Sequence, residues 1–152
     1  MDRGRQMGLT TVEFSIVGLV LFVLLFGVIE VGRALFVWNT IVESTRRAAR
    51  VAAVCPIDHN KVKQVAIFSE SDVSPLLPNL DVSNIQLSYL DINGSPSASY
   101  ASIRYVNAAI QGYAHTLLIP VVGTTITMPP FSTTLPAESL GWVPEDKARV
   151  CF

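Results

Sequence analysis

The chain has 152 residues, half of them hydrophobic and only 15% charged, with a formal net charge of −1. That balance lacks the basic stripe that phosphate backbones require, which argues against nucleic acid as a partner. The apolar excess is concentrated in the first third, and the remainder has the Ser, Thr, Asn and Pro content of a small domain.

In chain order, the first feature is a short leader, MDRGRQMG, followed by an apolar run from Leu9 to Ile29 whose only charge is Glu13. About 20 such residues cross a bilayer core as a helix. A removable secretory signal has a shorter apolar core and a small-x-small cleavage site. This run is longer and continues without a break, so it is expected to stay as an anchor. Arg3 and Arg5 precede it and Arg33, Arg46 and Arg47 follow it, so the positive-inside count does not fix the orientation. The short leader and the cysteine-bearing segment favour an extracytoplasmic C-terminal domain.

Beyond Glu30 the pattern becomes mixed. Leu35, Trp38, Val42, Thr45 and Ala49 are expected to form one apolar stripe at helical spacing, with Arg46, Arg47 and Arg50 on a solvated face. Glu43 has Arg46 and Arg47 at i+3 and i+4. Glu30 and Arg33, also three apart, are expected to make a local ion pair, with a contact between subunits as the alternative. Gly27 and Gly32 flank Glu30 and mark either a close helix approach or a bend. Pro56 lacks an amide hydrogen and disfavours helix at Cys55, so it should end the rod. A helix over 10–54 spans about 65 Å, twice a bilayer core.

The opening segment resembles a known family. Gly8, four residues, then Glu13-Phe14 give G-xxxx-E-F, the processing signature of tight-adherence type IV pilins. The Ile29-Glu30-x-Gly32-Arg33 step and the Ala- and Arg-rich helix end are similar to TadE-like proteins over residues 8 to 54. The resemblance implies a minor pilin or pseudopilin of a tight-adherence pilus, cut between Gly8 and Leu9 by a membrane prepilin peptidase. Leu9 would then be the new N-terminus, with Glu13 and Phe14 serving processing and assembly. Glu13 of one subunit would neutralise the Leu9 amine of a neighbour, a buried polar contact that sets register. The implied partners are other pilins through their N-terminal helices, the peptidase, an inner-membrane assembly platform and the lipid bilayer. Other pseudopilins of secretion or competence machines, and an uncleaved anchor bearing a binding domain, are the competing readings.

The expected divisions are a leader over 1–8, a transmembrane helix over 9–30, a projecting helix over 31–55 and an extracytoplasmic β-rich domain over 56–152. The fold class is α+β, with the projecting helix packed against a small antiparallel sheet. Within the domain, 58–68 is expected to be a short helix capped by Asp58, followed by a proline-punctuated connection. NIQLSYLDI alternates as a strand with Ile85, Leu87 and Tyr89 on one side. Asn93-Gly94 signals a hairpin turn, with SYASIRYVNAAI returning as a second strand. GTTITMPP and FSTTLPAE are also strand-like. Cys55 and Cys151 bracket the domain. Outside the cytosol a disulfide is expected, closing a loop whose stabilisation is about 4.7 kcal/mol in the chain-entropy model, and two separate buried thiols are the alternative.

Little in the sequence carries chemistry. His59 and His115 have no Cys or His neighbours at metal-ligand spacing. Asp91-Ile92-Asn93-Gly94 lacks the later ligands of a calcium loop and suits a turn instead. No enzyme motif, metal site or cofactor is expected.

Overall fold

The computed structural model describes residues 4–118 and 125–151. Helix α1, Gly4–Val54, is a single continuous element of 51 residues, roughly 75 Å long at about 1.5 Å per residue. A second helix, α2 (Asn60–Ala66), packs against it. Three strands, β1 (Ile85–Leu90), β2 (Tyr105–Ile110) and β5 (Phe131–Pro136), form an antiparallel sheet in the order β1-β2-β5. Two small hairpins complete the domain: β3 (Ala114–Thr116) with β4 (Thr125–Thr127), and β6 (Trp142–Val143) with β7 (Ala148–Arg149). The expected α+β layout, a long helix with a small antiparallel sheet on its C-terminal half, is the one observed.

Central strand β2 lies across α1 and exchanges hydrogen bonds with both neighbours, in the register Ala108↔Leu87 and Ala108↔Thr133. Its alternation is clean, with Val106, Ala108 and Ile110 buried. Strand β1 turns in Ile85 and Tyr89, two of the three residues expected on that face, with Leu87 partly buried. On α1 the buried stripe is Val37, Ile41, Ser44, Ala48 and Ala52, widened by Thr45, Ala49 and Ala53. The small residues let helix and sheet approach closely, which bulky side chains at these positions would prevent.

This corrects the expected stripe. Thr45 and Ala49 lie on it, but Leu35 is 59% exposed and Trp38 is 45% exposed. Val42 is half-buried, and Trp38, although largely open, packs edge-on against Phe131 of β5 with ring centres 4.7 Å apart, so Leu35 is the member that leaves the stripe. Arg46, Arg47 and Arg50 are exposed as expected, and Arg47 pairs with Glu43 at 3.5 Å. Its guanidinium also lies 4.4 Å from the centre of the Phe68 ring, a cation–π contact.

Three further expectations change. His59, not Asp58, caps α2: its Nδ1 accepts from the Lys61 amide at 3.2 Å, while Asp58 has φ 54° in the turn before it. The second strand begins at Tyr105, not Ser99, because residues 99–102 form a turn closed by the Ser102 and Ile103 amides donating to the Ser99 carbonyl. Asn93-Gly94 does make a turn, with Asp91 accepting from the Asn93 and Ser95 amides, but it returns only to a bridge at Pro96 and does not lead directly into β2. Gly123 and Thr124, expected at the start of the third strand segment, lie outside the described residues.

The root of the domain is tied down at the end of α1. The Ala53 carbonyl, one of the helix's last acceptors, receives the Glu138 and Leu140 amides at 3.0 and 3.2 Å. Cys55 is bonded to Cys151. Gly141 sits beside them at φ 79°, where a Cβ would meet the Pro56 ring at 2.6 Å. Glycine is required there by conformation and by space.

Candidate functional site

Two parts of α1 hold the residues singled out by sequence. The first is its N-terminal part. Gly8 and Leu9 lie within the helix, and Glu13 and Phe14 follow one turn later. Phe14 is 78% exposed, and Glu13 is exposed and meets no cation among the described residues. From Val12 to Val31 the large apolar side chains all point away from any cover within the chain. This part is a helix long and apolar enough to cross a membrane, with a mean hydropathy of 2.7 and none of its most apolar window buried.

The second part is the point where helix meets domain. Glu30 is buried, with 6% of its surface exposed, although it follows nearly twenty outward-facing residues. Arg33 Nη1 donates to both of its carboxylate oxygens, at 3.0 and 2.8 Å. The structure adds a third member that spacing along the chain did not reveal. His115, on β3 and 3% exposed, brings Nε2 to 3.4 Å from Glu30 Oε1. That Nε2 forms no well-aligned hydrogen bond among the described residues. Tyr113, one residue before the strand, lies on the same side. Burial pushes its phenol above the usual range, and the Arg33 charge pulls it the other way, so the ring stays neutral.

The cluster is therefore an acid on the helix held between a cation on the helix and an imidazole on the domain. A carboxylate leaving a membrane segment is costly unless it is paired. Here the hairpin of β3 and β4 covers it on one side while Arg33, 37% exposed, reaches toward solvent on the other. No clue short of the fold joins Glu30 to His115. A lone histidine within a long uncharged stretch is the only trace in the sequence.

Among the described residues, no group of three or more His, Cys, Asp or Glu is arranged to hold a metal ion. The cysteines are joined to each other, which leaves neither thiol free.

Residues 8–50 match the family model of TadE-like protein. Over that segment, less than a third of its length, the chain is similar to TadE-like proteins. The matched residues run from Gly8 past the Glu30–Arg33 pair and onto the domain-packed stripe of α1. Comparison with curated proteins and with solved structures gave no match. The TadE-like family is one of structural pilus components, so the segment points to a protein associated with the tight-adherence pilus.

Proposed function

We propose that this chain is a minor pilin or pseudopilin that takes part in building a tight-adherence pilus. Prepilin peptidase cuts it between Gly8 and Leu9, α1 anchors it in the inner membrane, and the domain lies on the extracytoplasmic side. The observation that carries this reading is the coincidence of the TadE-like match with a helix whose large apolar side chains from Val12 to Val31 are uncovered by its own domain. A face of that kind needs lipid before assembly and neighbouring helices after it.

Within this reading Glu13 marks register. Once Leu9 carries a free amine, the Glu13 carboxylate of a neighbouring subunit is its natural counter-ion in an apolar bundle, and misaligned subunits leave both charges unpaired. Glu30 has a different task, because its charge is already matched inside the same chain by Arg33 and approached by His115. It holds the domain to the rod and leaves the helix face below free for partners: other pilins, the peptidase and the assembly platform.

Mass spectrometry of the N-terminus in membranes and in sheared pili tests the reading. A mature chain starting at Leu9, lost when prepilin peptidase is absent, is expected. A chain retaining Met1 or Asp2 in assembled material would replace this reading with an uncleaved anchor.

A further inference from the structure

We propose that the β3–β4 hairpin is a second membrane-contacting element, with Leu118 dipping into the extracytoplasmic leaflet beside α1 and Ile126 above it at headgroup level. The inference rests on the reading of α1 as a bilayer anchor and extends it to the domain.

The path of the chain is the first support. Moving along β3, the facing positions on α1 step back toward its N-terminus. Tyr113 and His115 share a cleft of about 190 Å³ with Arg33 and Val37. His115 reaches Glu30. Leu118 then shares a cleft of about 210 Å³ with Phe26 and Ile29. The hairpin thus runs down the helix toward the anchor, not away from it.

Depth is the second. With the inner edge of a hydrocarbon slab of about 30 Å set at Thr10, the rise of about 1.5 Å per residue puts the outer edge near Glu30. Phe26 and Ile29 then lie inside the slab, and Leu118 lies across a cleft from them. Setting the inner edge at Glu13 moves the outer edge further up the helix and submerges more of the hairpin.

Chemistry is the third. From Tyr105 to Ala137 the sequence contains no Asp, Glu, Lys or Arg. Leu118 is 68% exposed and Ile126 is 49% exposed; Ile92 and Trp142 elsewhere in the domain are comparably exposed, but Leu118 and Ile126 border clefts shared with apolar residues of α1. Ile126 also borders a cleft of about 250 Å³ with Leu35, Trp38 and Pro129. Apolar side chains therefore recur from the anchor, across the hairpin, to Leu35, with the exposed threonines Thr116, Thr125 and Thr127 among them. Trp38 itself lies about 12 Å above the hydrocarbon edge and packs edge-on against Phe131 of β5. The charges at this level do not oppose immersion: Glu30 is enclosed by Arg33 and His115, and Arg33 has the length to reach the headgroups. Lipid is the occupant because Leu118 adjoins Phe26 and Ile29, uncovered residues of the apolar helix, at the same depth.

Depth-dependent fluorescence tests this on the full chain with Trp38→Phe and Trp142→Phe. Single tryptophans are placed by Leu118→Trp, by Phe22→Trp within the span and by Ile92→Trp on the far side of the domain. The protein is reconstituted in phosphatidylcholine–phosphatidylglycerol vesicles with or without acyl-chain-brominated lipid. The expected result is a blue-shifted Leu118→Trp emission quenched as Phe22→Trp is, with Ile92→Trp unaffected. Leu118→Trp behaving like Ile92→Trp while Phe22→Trp is quenched would overturn the inference and leave the anchor intact. Failure of Phe22→Trp to be quenched would remove the anchor and the inference together. Blue-shifted but unquenched Leu118→Trp, with Leu118→Cys crosslinking between copies, would assign the patch to a second copy instead. Leu118→Cys carrying a bimane label repeats the measurement if Leu118→Trp fails to form the Cys55–Cys151 bond.

Discussion

The two halves of α1 invert the usual relation between size and burial. Before Glu30, residues such as Phe22 and Leu24 are more than half exposed. From Ile41 onward Ser44, Thr45, Ala48, Ala49, Ala52 and Ala53 are enclosed, with Ile41 the largest side chain among them. One helix therefore carries two surfaces. The first is made to meet something outside the chain, the second to let a sheet settle closely on it. Hydrophobicity summed along the sequence shows only the first.

The largest expected effect separates the halves directly. Ile41→Ala, in the enclosed half, should lower domain stability by about 2–5 kcal/mol, whereas Phe22→Ala should change it by less than about 0.5 kcal/mol. Urea unfolding of the disulfide-bonded protein in detergent, followed by near-UV circular dichroism, reads both. Similar losses at the two positions would break the comparison. Ala49→Leu sharpens it from the other side: adding volume where helix meets sheet should cost about 1–3 kcal/mol, while the same added bulk at Gly18, with open space around it, should leave the domain unchanged.

A third substitution acts at the boundary. Glu30→Leu leaves Arg33 and His115 without their shared acid, and removal of one partner from an enclosed polar cluster should cost about 1–3 kcal/mol, reduced from the fully buried case because Arg33 reaches solvent. The melting temperature should fall, and hydrogen exchange should rise at the amides of β3 and β4 before those of β1 and β2. Uniform protection across both sheets would mean that the cluster does not hold the hairpin.

How much of this was legible in the sequence follows from how local each signal is. The rod, its end at Pro56 and the strand face of Ile85 and Tyr89 depend on periodicity and on proline, which act over a few residues. Glu43 with Arg47 is a one-turn relation and was equally readable. The cap by His59 was hidden because Asp58 is the stronger cap by type, and the turn geometry at φ 54° takes it out of position. His115 beside Glu30 was hidden for a deeper reason: the contact exists only after β3 has folded back along α1. The helix stripe failed at Leu35 and held only in part at Trp38, because a pattern of apolar residues does not say what will cover them.

The smallest expected effect concerns a region remote from the helix. Asp81 caps the short 3₁₀ turn Val82–Asn84, accepting from the Ser83 amide at 2.7 Å while Asn84 reaches back to the Asp81 amide. Hydrogen bonds from Ser83, side chain first and backbone second, hold its carboxyl below the usual range. A lowered folded-state value stabilises above the unfolded value of about 3.9 and is lost as pH falls through the folded one. Asp81→Ala should therefore cost about 1 kcal/mol at neutral pH, and the difference from the parent should shrink in acid. A difference independent of pH would assign the effect to packing instead.

The bond between Cys55 and Cys151, 96 residues apart, has a mechanical consequence. Tension carried along α1 enters the domain where a covalent ring closes on itself. The segments inside that ring can shift against one another, but they cannot be reeled out as a lengthening strand. In the proposed pilus, such a unit under shear would yield at its contacts with neighbours while its own contour stayed fixed.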